Sequence, residues 1–255
     1  MARTAAGTRP AARPAGRSIA RRYLPPQHGA WAMLLLPFAV GVACAGPVPL
    51  HLVLLVAWIC GYLLSYWALL AVKTGRPGRV AGPLRLYAAG CLPAAVVVAV
   101  AVPAVWWFAP VFAALLAVNA GYARRRDDRA LPAGLASVVQ SCLMVPLAVV
   151  VAGRPIERGV LPALVLLAYF TGSLLYVKTM IRHRGERAYR VASVAVHAVA
   201  TVAVTAVAWP IGALFGWLTV RAAWLPGRDL TPLQVGLLEA VHCMVLLVAV
   251  PLLLR

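Results

Sequence analysis

Long apolar runs, separated by short clusters of charged residues, extend along the chain from residue 30 to residue 254. A helix rises 1.5 Å per residue, so a run of about 20 apolar residues spans the ~30 Å hydrocarbon core of a bilayer. The pattern therefore predicts an all-α, polytopic transmembrane helical bundle. It has nine predicted spans, at 30-46, 50-72, 86-103, 104-123, 133-153, 159-177, 188-208, 210-225 and 232-254.

Two of these boundaries divide apolar stretches that are too long for one span. Residues 86-123 as one helix would measure about 55 Å, nearly twice the bilayer core. Pro103 predicts a break there, with Trp106 and Trp107 at the headgroup level. The stretch 188-225 requires a similar break, which Trp209-Pro210 predicts.

Composition supports the membrane class and limits what else the chain contains. Of its 255 residues 63% are hydrophobic and 12% charged, whereas about 25% are charged in soluble domains. Residues 1-22 are rich in Ala, Arg and Pro and predict a disordered cytoplasmic arm, followed by a transmembrane domain at 23-255. The five cysteines fall in apolar runs without CxxC spacing, so we expect neither disulfides nor a zinc site.

The net charge of +18 raises the question of nucleic-acid binding, but its distribution favours a membrane topology. With the N-terminus in the cytoplasm, 21 of the 24 lysines and arginines lie on the cytoplasmic side, and only Arg154, Arg158 and Arg255 lie opposite. This is what the positive-inside rule predicts. We therefore expect an N-in, C-out protein of the cell inner (cytoplasmic) membrane. Its expected partner is the lipid bilayer, and we expect no binding to nucleic acid.

A short basic pattern occurs twice, at a constant offset of 105 residues. Lys73-Thr74 recurs as Lys178-Thr179, Arg79 as Arg184, and Arg85 as Arg190. Four spans in each half predict two parallel repeats, at about 28-123 and about 131-225, with an extra span at about 232-254. We call the two lysine–threonine pairs, Lys73-Thr74 and Lys178-Thr179, the first and second corner. Either the two corners form a paired anion site, or they are helix ends inherited by duplication.

Basic and polar residues at the predicted cytoplasmic ends are the candidates for ligand binding. Lysine binds phosphate as a point charge and arginine in a bidentate fashion. The alternative is that these residues only fix topology and touch anionic headgroups. The ligand-binding candidates are Gln27, His28, Lys73, Thr74, Lys178, Thr179, Arg182 and His197.

Three ionisable residues lie inside predicted spans, where each costs at least ~2.5 kcal/mol. Glu239 and His242 are three residues apart on one helix face, and His197 is expected at a similar depth. They are candidates for proton handling or ligand contact; the alternative is a structural hydrogen bond. Metal or haem binding is less favoured, because no other span contains an acidic residue, so we predict no metal site and name no cofactor.

Several strings of residues resemble the YwiC-like family of bacterial membrane proteins. They are Pro26 to Trp31 (PQHGAW), Ser65-Tyr66 with Lys73, Tyr176 to Arg182 (YVKTMIR), and His197 in the following span. The resemblance covers about residues 25-250. It implies the membrane class and identifies polar residues worth testing, but it implies no reaction.

The predicted architecture of four plus four plus one spans also resembles the UbiA-type intramembrane prenyltransferases. In that family the equivalent loops carry aspartate-rich motifs that hold magnesium and an isoprenyl diphosphate. Here the loops at 73-85 and 178-190 contain no aspartate and a single glutamate, Glu186. The resemblance thus implies a bundle in which basic side chains bind an anionic headgroup directly.

Three functions are consistent with these patterns, and whether the protein is an enzyme stays open. The leading one is binding of an anionic or phosphorylated lipid-like ligand at a cytoplasm-facing cavity, as in a divergent UbiA-like transferase. The second is proton-coupled anion transport, with Glu239 and His242 relaying protons. The third is a non-catalytic assembly or cofactor-carrying role.

Overall fold

The computed structural model describes residues 23–25 and 28–254, apart from the side chain of His28. Within this part the regular structure is entirely helical. Two 3-10 helices, Pro77–Val80 and Pro103–Phe108, accompany ten α-helices. These are α1 (His28–Ala45), α2 (Leu50–Thr74), α3 (Ala81–Ala101), α4 (Ala109–Arg124), α5 (Leu131–Cys142), α6 (Met144–Val151), α7 (Glu157–Ile181), α8 (Arg187–Val207), α9 (Trp209–Trp224) and α10 (Pro232–Leu254).

The two predicted breaks inside long apolar stretches are confirmed. The helix α3 ends at Ala101, before the 3-10 helix that leads into α4, and α8 ends before α9 begins at Trp209. Proline fits the first turn of each following helix, because the N–H that it lacks has no partner there. Trp107 is 83% exposed and Trp209 74%, as expected of interfacial anchors.

Seven helical stretches are long and apolar enough to cross a membrane, judged by length and composition. The helices α1 and α9 are not among them: α9 has 16 residues, and α1 contributes the shorter apolar stretch Ala30–Ala45. The predicted helical class is therefore confirmed, while seven stretches meet the criterion against nine predicted spans. The seven are Leu50–Thr74, Pro77–Ala101, Pro103–Arg124, Leu131–Val151, Glu157–Ile181, Arg187–Val207 and Pro232–Leu254.

The centre of the bundle is formed by α1, α5, α6 and α7, with α10 packed against α1 and α7. Val40 of α1 and Val145 of α6 are fully buried in this core. A Cβ atom on Gly41 would lie 2.8 Å from the carbonyl oxygen of Val145, so only glycine permits this approach of the two helices. The early helix α1 is thus surrounded mainly by helices from later in the chain.

Two helix pairs, α2 with α3 and α8 with α9, pack closely at the periphery. Their outer faces carry exposed valines and leucines, including Leu52, Val100 and Val202, each at least 70% exposed. Such faces suit a hydrocarbon environment, because lipid tails are as apolar as these side chains. Among the described residues, the polar side chains that are buried instead include Lys178, His197 and Arg221.

Candidate functional site

The two repeated lysines reach consecutive residues of the loop between α4 and α5. Lys73 Nζ lies 2.5 Å from Asp128 Oδ1, and Lys178 Nζ donates to the carbonyl oxygen of Arg129 at 2.5 Å. Because the two acceptors are neighbours in sequence, the C-terminal ends of α2 and α7 lie at the same end of the bundle. The loop joins both ends.

The two repeated threonines make equivalent local hydrogen bonds. Thr74 Oγ1 donates to the carbonyl oxygen of Leu70 at 2.8 Å, and Thr179 Oγ1 donates to that of Leu175 at 2.9 Å. Each bond runs to the residue four positions earlier, a common arrangement for threonine in a helix. Both hydroxyl protons are therefore used within their own helices, which favours the helix-end interpretation for the threonines.

The surroundings of the two corners differ. The Lys73 side chain is 35% exposed, whereas Lys178 is buried at 7%, and Arg182 is exposed. A pocket of ≈ 480 Å³ adjoins the first corner, and no residue of the second corner lines it. The pocket is lined by Lys73, Thr74, Arg76, Arg79 and Arg126, with Leu70 and Val80.

Asp128 is held in its charged form by Lys73. Burial acts to raise its pKa, but the hydrogen bond to Lys73, together with the charges of Lys73 and Arg129, lowers the pKa of Asp128 below its ordinary value. Its ion-pair partner is a lysine 55 positions earlier in the chain and not one of the arginines beside it in sequence.

A second polar group lies inside the bundle, where α7, α9 and α10 meet. Arg221 of α9 is 1% exposed, and its Nη1 forms an ion pair with Glu239 Oε1 of α10. Tyr169 donates its hydroxyl to Glu239 Oε2 at 3.0 Å, and Ser173 donates to the same oxygen. The guanidinium carbon lies 3.9 Å from the ring centre of Tyr176, a cation–π contact. One carboxylate thus joins three helices.

His242 lies beside this ion pair. Trp217 Nε1 donates to His242 Nε2 at 3.2 Å, so a neutral ring carries its proton on Nδ1. Arg221 Nη1 is 3.3 Å from Nδ1, and since guanidinium only donates, these two atoms do not share a hydrogen bond in that tautomer. Within the described residues, no group of three or more His, Cys, Asp or Glu side chains is arranged to hold a metal ion.

His197 is buried at 2% but is not hydrogen-bonded to Glu239 or His242. Its Nδ1 lies 2.7 Å from the carbonyl oxygen of Ser193, which fixes the ring proton on Nδ1. Its Nε2 has no hydrogen-bond partner among the described residues. The expected meeting of the three ionisable residues therefore holds for Glu239 and His242, through Arg221, and not for His197.

Arg221 is the residue that the sequence pattern misassigned. Its position near the end of an apolar run made it one more cytoplasmic arginine of the positive-inside pattern, yet its side chain is fully buried. One signal could have identified it: a lone glutamate inside an apolar span requires a counter-charge, and Arg221 is the basic residue within the preceding run.

Two of the predicted ligand-binding residues are not covered by the structure. Gln27 lies outside the described residues, and so does the side chain of His28. Their suggested place beside the basic loops stays a prediction.

These features define an integral, multi-pass helical membrane protein with a basic pocket at one end and a buried ion pair between α9 and α10. Residues 24–149 match the family model described as YwiC-like protein. The uncharacterised protein YwiC of Bacillus subtilis is 30% identical over 237 residues, covering 86% of this chain and 92% of its own. An uncharacterised protein of Haemophilus influenzae is 32% identical over 235 residues, covering 88% and 96%. The chain belongs to the YwiC-like family. No solved structure matches it.

Proposed function

We propose that the protein crosses the cytoplasmic membrane nine times, N-in and C-out, as two parallel four-span repeats and one additional span. Helix lengths support the duplication: α2 and α7 have 25 residues each, α3 and α8 have 21, and α4 and α9 have 16. The shared loop contacted by Lys73 and Lys178 supports a parallel arrangement, in which equivalent helices end on the same side.

We further propose that the basic pocket binds an anionic or phosphorylated lipid-like headgroup. The observation that carries this proposal is the concentration of four cationic side chains around one pocket with no acidic residue in its lining: Lys73, Arg76, Arg79 and Arg126. Lysine and arginine bind phosphate strongly at a surface of reduced dielectric. Asp128 compensates only one of the four cations.

The position of the pocket suits an amphiphile. It lies at the C-terminal end of α2, beside the apolar Leu70 and Val80, and in the proposed topology this is the cytoplasmic end of the span. A ligand in this pocket keeps its chains in the bilayer while its charged group contacts the arginines. In the UbiA-type bundle an equivalent loop holds a diphosphate through magnesium; here the cations are side chains, so binding requires no metal.

The experiment measures binding of dihexanoyl phosphatidic acid to the full-length protein in phosphatidylcholine nanodiscs. We expect binding that weakens with salt and falls at least about tenfold in Arg76→Gln/Arg79→Gln, because two charge-assisted contacts are lost. The matched control is Arg154→Gln/Arg158→Gln, which removes two arginines at the opposite end and leaves binding unchanged. Equal affinity in both double variants would reject the pocket.

A second candidate function, proton-coupled anion transport, is favoured by a separate observation. The ion pair of Arg221 and Glu239 with His242 beside it lies within the bundle, and intramembrane ionisable groups commonly serve ion or proton pathways. Uptake of radiolabelled lactate or phosphate into proteoliposomes under an inward proton gradient should fall steeply in Glu239→Gln. Absence of uptake by the wild-type protein would remove this candidate.

A further inference from the structure

Polar atoms that are fully buried without a partner concentrate in one place. Among the described residues six such side-chain atoms occur, and five belong to four residues of α7, α8 and α9. They are Nε and Nη2 of Arg221, the hydroxyls of Tyr176 and Ser193, and Nε2 of His197. Buried polar groups are nearly always hydrogen-bonded, so this concentration indicates a site for an additional molecule.

The four residues are neighbours on facing helices. A Cβ atom on Gly172 of α7 would lie 2.8 Å from His197 Nε2 of α8. Tyr176 follows Gly172 by one helical turn, and Ser193 precedes His197 by one turn. Since the antiparallel helices α7 and α8 pack together, Tyr176 and Ser193 lie at the same level.

Arg221 joins this group from α9. The hydroxyl oxygens of Thr201 and Thr219, 2.9 Å apart, fix the register of α8 against α9. Arg221 follows Thr219 by two residues, and His197 precedes Thr201 by four. Arg221 and His197 therefore lie within about one helical turn of each other. The contact of the Arg221 guanidinium with the Tyr176 ring closes the group on its third side.

The donors and acceptors of the unpartnered atoms specify the ligand. Nε and Nη2 of Arg221 form the edge of the guanidinium that presents two parallel N–H groups, which matches the two oxygens of a carboxyl group. With its proton on Nδ1, His197 presents Nε2 as an acceptor, and the two hydroxyls donate or accept. The ligand group that matches these donors and acceptors has two oxygens and carries one proton.

The charge of the site leads to the same ligand. Arg221 is already compensated by Glu239, so a bare carboxylate would leave one unbalanced negative charge in the span. A carboxyl group that enters with a proton adds no net charge. The charged and titratable groups around His197 are Arg221 of α9, Glu239 of α10 and Tyr176 of α7, and the proton resides on the ligand or on His197.

We propose that Tyr176, Ser193, His197 and Arg221 form a buried binding site for the carboxyl group of a carboxylic acid, taken up together with one proton. The residues are separate from the basic pocket, so the site stands whether or not that pocket binds a headgroup. The proposal rests on the second candidate function, proton-coupled transport, and gives it a ligand class. Binding measured without a gradient tests the site separately from transport.

The seam between α9 and α10 is the proposed route to the site. The backbone of α10 packs mainly against α1 and α7, and its polar contacts with α9 include the ion pair of Arg221 with Glu239 and the hydrogen bond of Trp217 with His242. Trp217 is 50% exposed. An acid dissolved in the membrane, or one from the aqueous phase, would enter here after these side chains move.

The test uses the full chain in phosphatidylcholine nanodiscs, with oleic acid and propionate as separate radiolabelled probes in equilibrium binding. Binding of oleic acid alone assigns the site to a membrane-derived acid, and binding of propionate assigns it to a soluble one. Because propionate is ionised in water near neutral pH, its apparent Kd should rise about tenfold from pH 7 to pH 8 if one proton accompanies it. Binding of neither probe overturns the site, and a Kd independent of pH overturns proton uptake.

The decisive variant is Tyr176→Phe/Ser193→Ala. Both hydroxyls lack partners within the described protein, so their removal should leave the thermal transition unchanged or raised, while probe binding falls about tenfold or more. The matched control is Tyr62→Phe, which removes the sixth unpartnered buried atom, on α2. Equal binding in the double variant and in the control would overturn the assignment. Binding without flux in proteoliposomes removes only transport.

Discussion

Arg221 and Glu239 form an ion pair between α9 and α10, and the two side chains are only 1% and 13% exposed. The helix α10 lies outside both proposed repeats, so this pair links the additional helix to the second repeat. Tyr169 and Ser173 complete the hydrogen bonds of the carboxylate from α7. The last helix is therefore held by charge as well as by apolar packing.

Removal of one partner from this pair should be strongly destabilising. Glu239→Leu leaves the Arg221 guanidinium buried without its counter-charge, at an expected cost of about 3–5 kcal/mol. Thermal unfolding in nanodiscs measures the change. In Arg221→Met/Glu239→Leu no charge remains buried, so most of the loss should be recovered. A double variant as unstable as Glu239→Leu alone would show that the pair has no special role.

Close approach of α1 and α6 makes Gly41 intolerant of a methyl group. Gly41→Ala places a Cβ 2.8 Å from the Val145 carbonyl oxygen and 2.9 Å from the Ala148 Cβ, so the helices must separate. We expect a destabilisation of about 1–3 kcal/mol, seen as a lower thermal transition. The control is Gly236→Ala in α10, where no atom lies within 4 Å of the added Cβ and stability should hardly change.

The ion pair of Lys73 and Asp128 should give a small, pH-dependent contribution to stability. The pKa of Asp128 in the folded protein lies below its ordinary value of 3.8, so the contribution is present above pH 3.8 and is lost as the pH falls through the lower folded value. Because both side chains are more than one third exposed, we expect at most about 1 kcal/mol at neutral pH.

The measurement compares thermal unfolding of the wild type and Asp128→Asn across the acid range. The difference between them should shrink as the pH falls below 3.8 and vanish once the pH lies below the lower folded pKa of Asp128. Asp127→Asn is the control, since Asp127 forms no ion pair within the described residues. A difference that persists in strong acid would assign the effect to something other than this pair.

The proposed topology predicts which residues face the cytoplasm. In a background without the five native cysteines, Arg79→Cys and Arg184→Cys should react with a membrane-impermeant maleimide only in inverted vesicles. Arg158→Cys, from the opposite end, should react only in intact cells. All three positions are exposed. Labelling of positions 79 and 184 from opposite sides would contradict the parallel repeats.

Helix positions were predictable from the sequence, because they depend on local features. Hydrophobic length sets where a span begins and ends, and Pro103 and Trp209-Pro210 mark the two breaks within apolar stretches. The predicted start of the third span at residue 86 was five residues late, because Arg85 was taken for loop while α3 begins at Ala81. The central position of α1 was not predictable, since nothing in an apolar run identifies its neighbours.

The polar site was predictable only in part. Glu239 and His242 could be identified because ionisable residues are rare within a span. Arg221 resembled a loop residue, and the hydrophobic pattern does not show that its side chain points into the bundle. Lys73 and Lys178 share one sequence string yet differ in exposure, since their partners come from a loop that is distant in sequence. The shared string therefore predicted that both lysines lie in the last turn of a helix, but it did not predict that their environments differ.

The central position of α1 has a consequence for biosynthesis. This helix is made first, yet the residues that cover Val40 and Gly41 belong to α6, about 100 residues later in the chain, and to α7 and α10 beyond it. Until those segments leave the ribosome, the contact face of α1 rests against lipid or the insertion machinery. A nascent chain halted before residue 144 would leave this face of its first span unpacked, and we expect quality-control proteases to recognise that form.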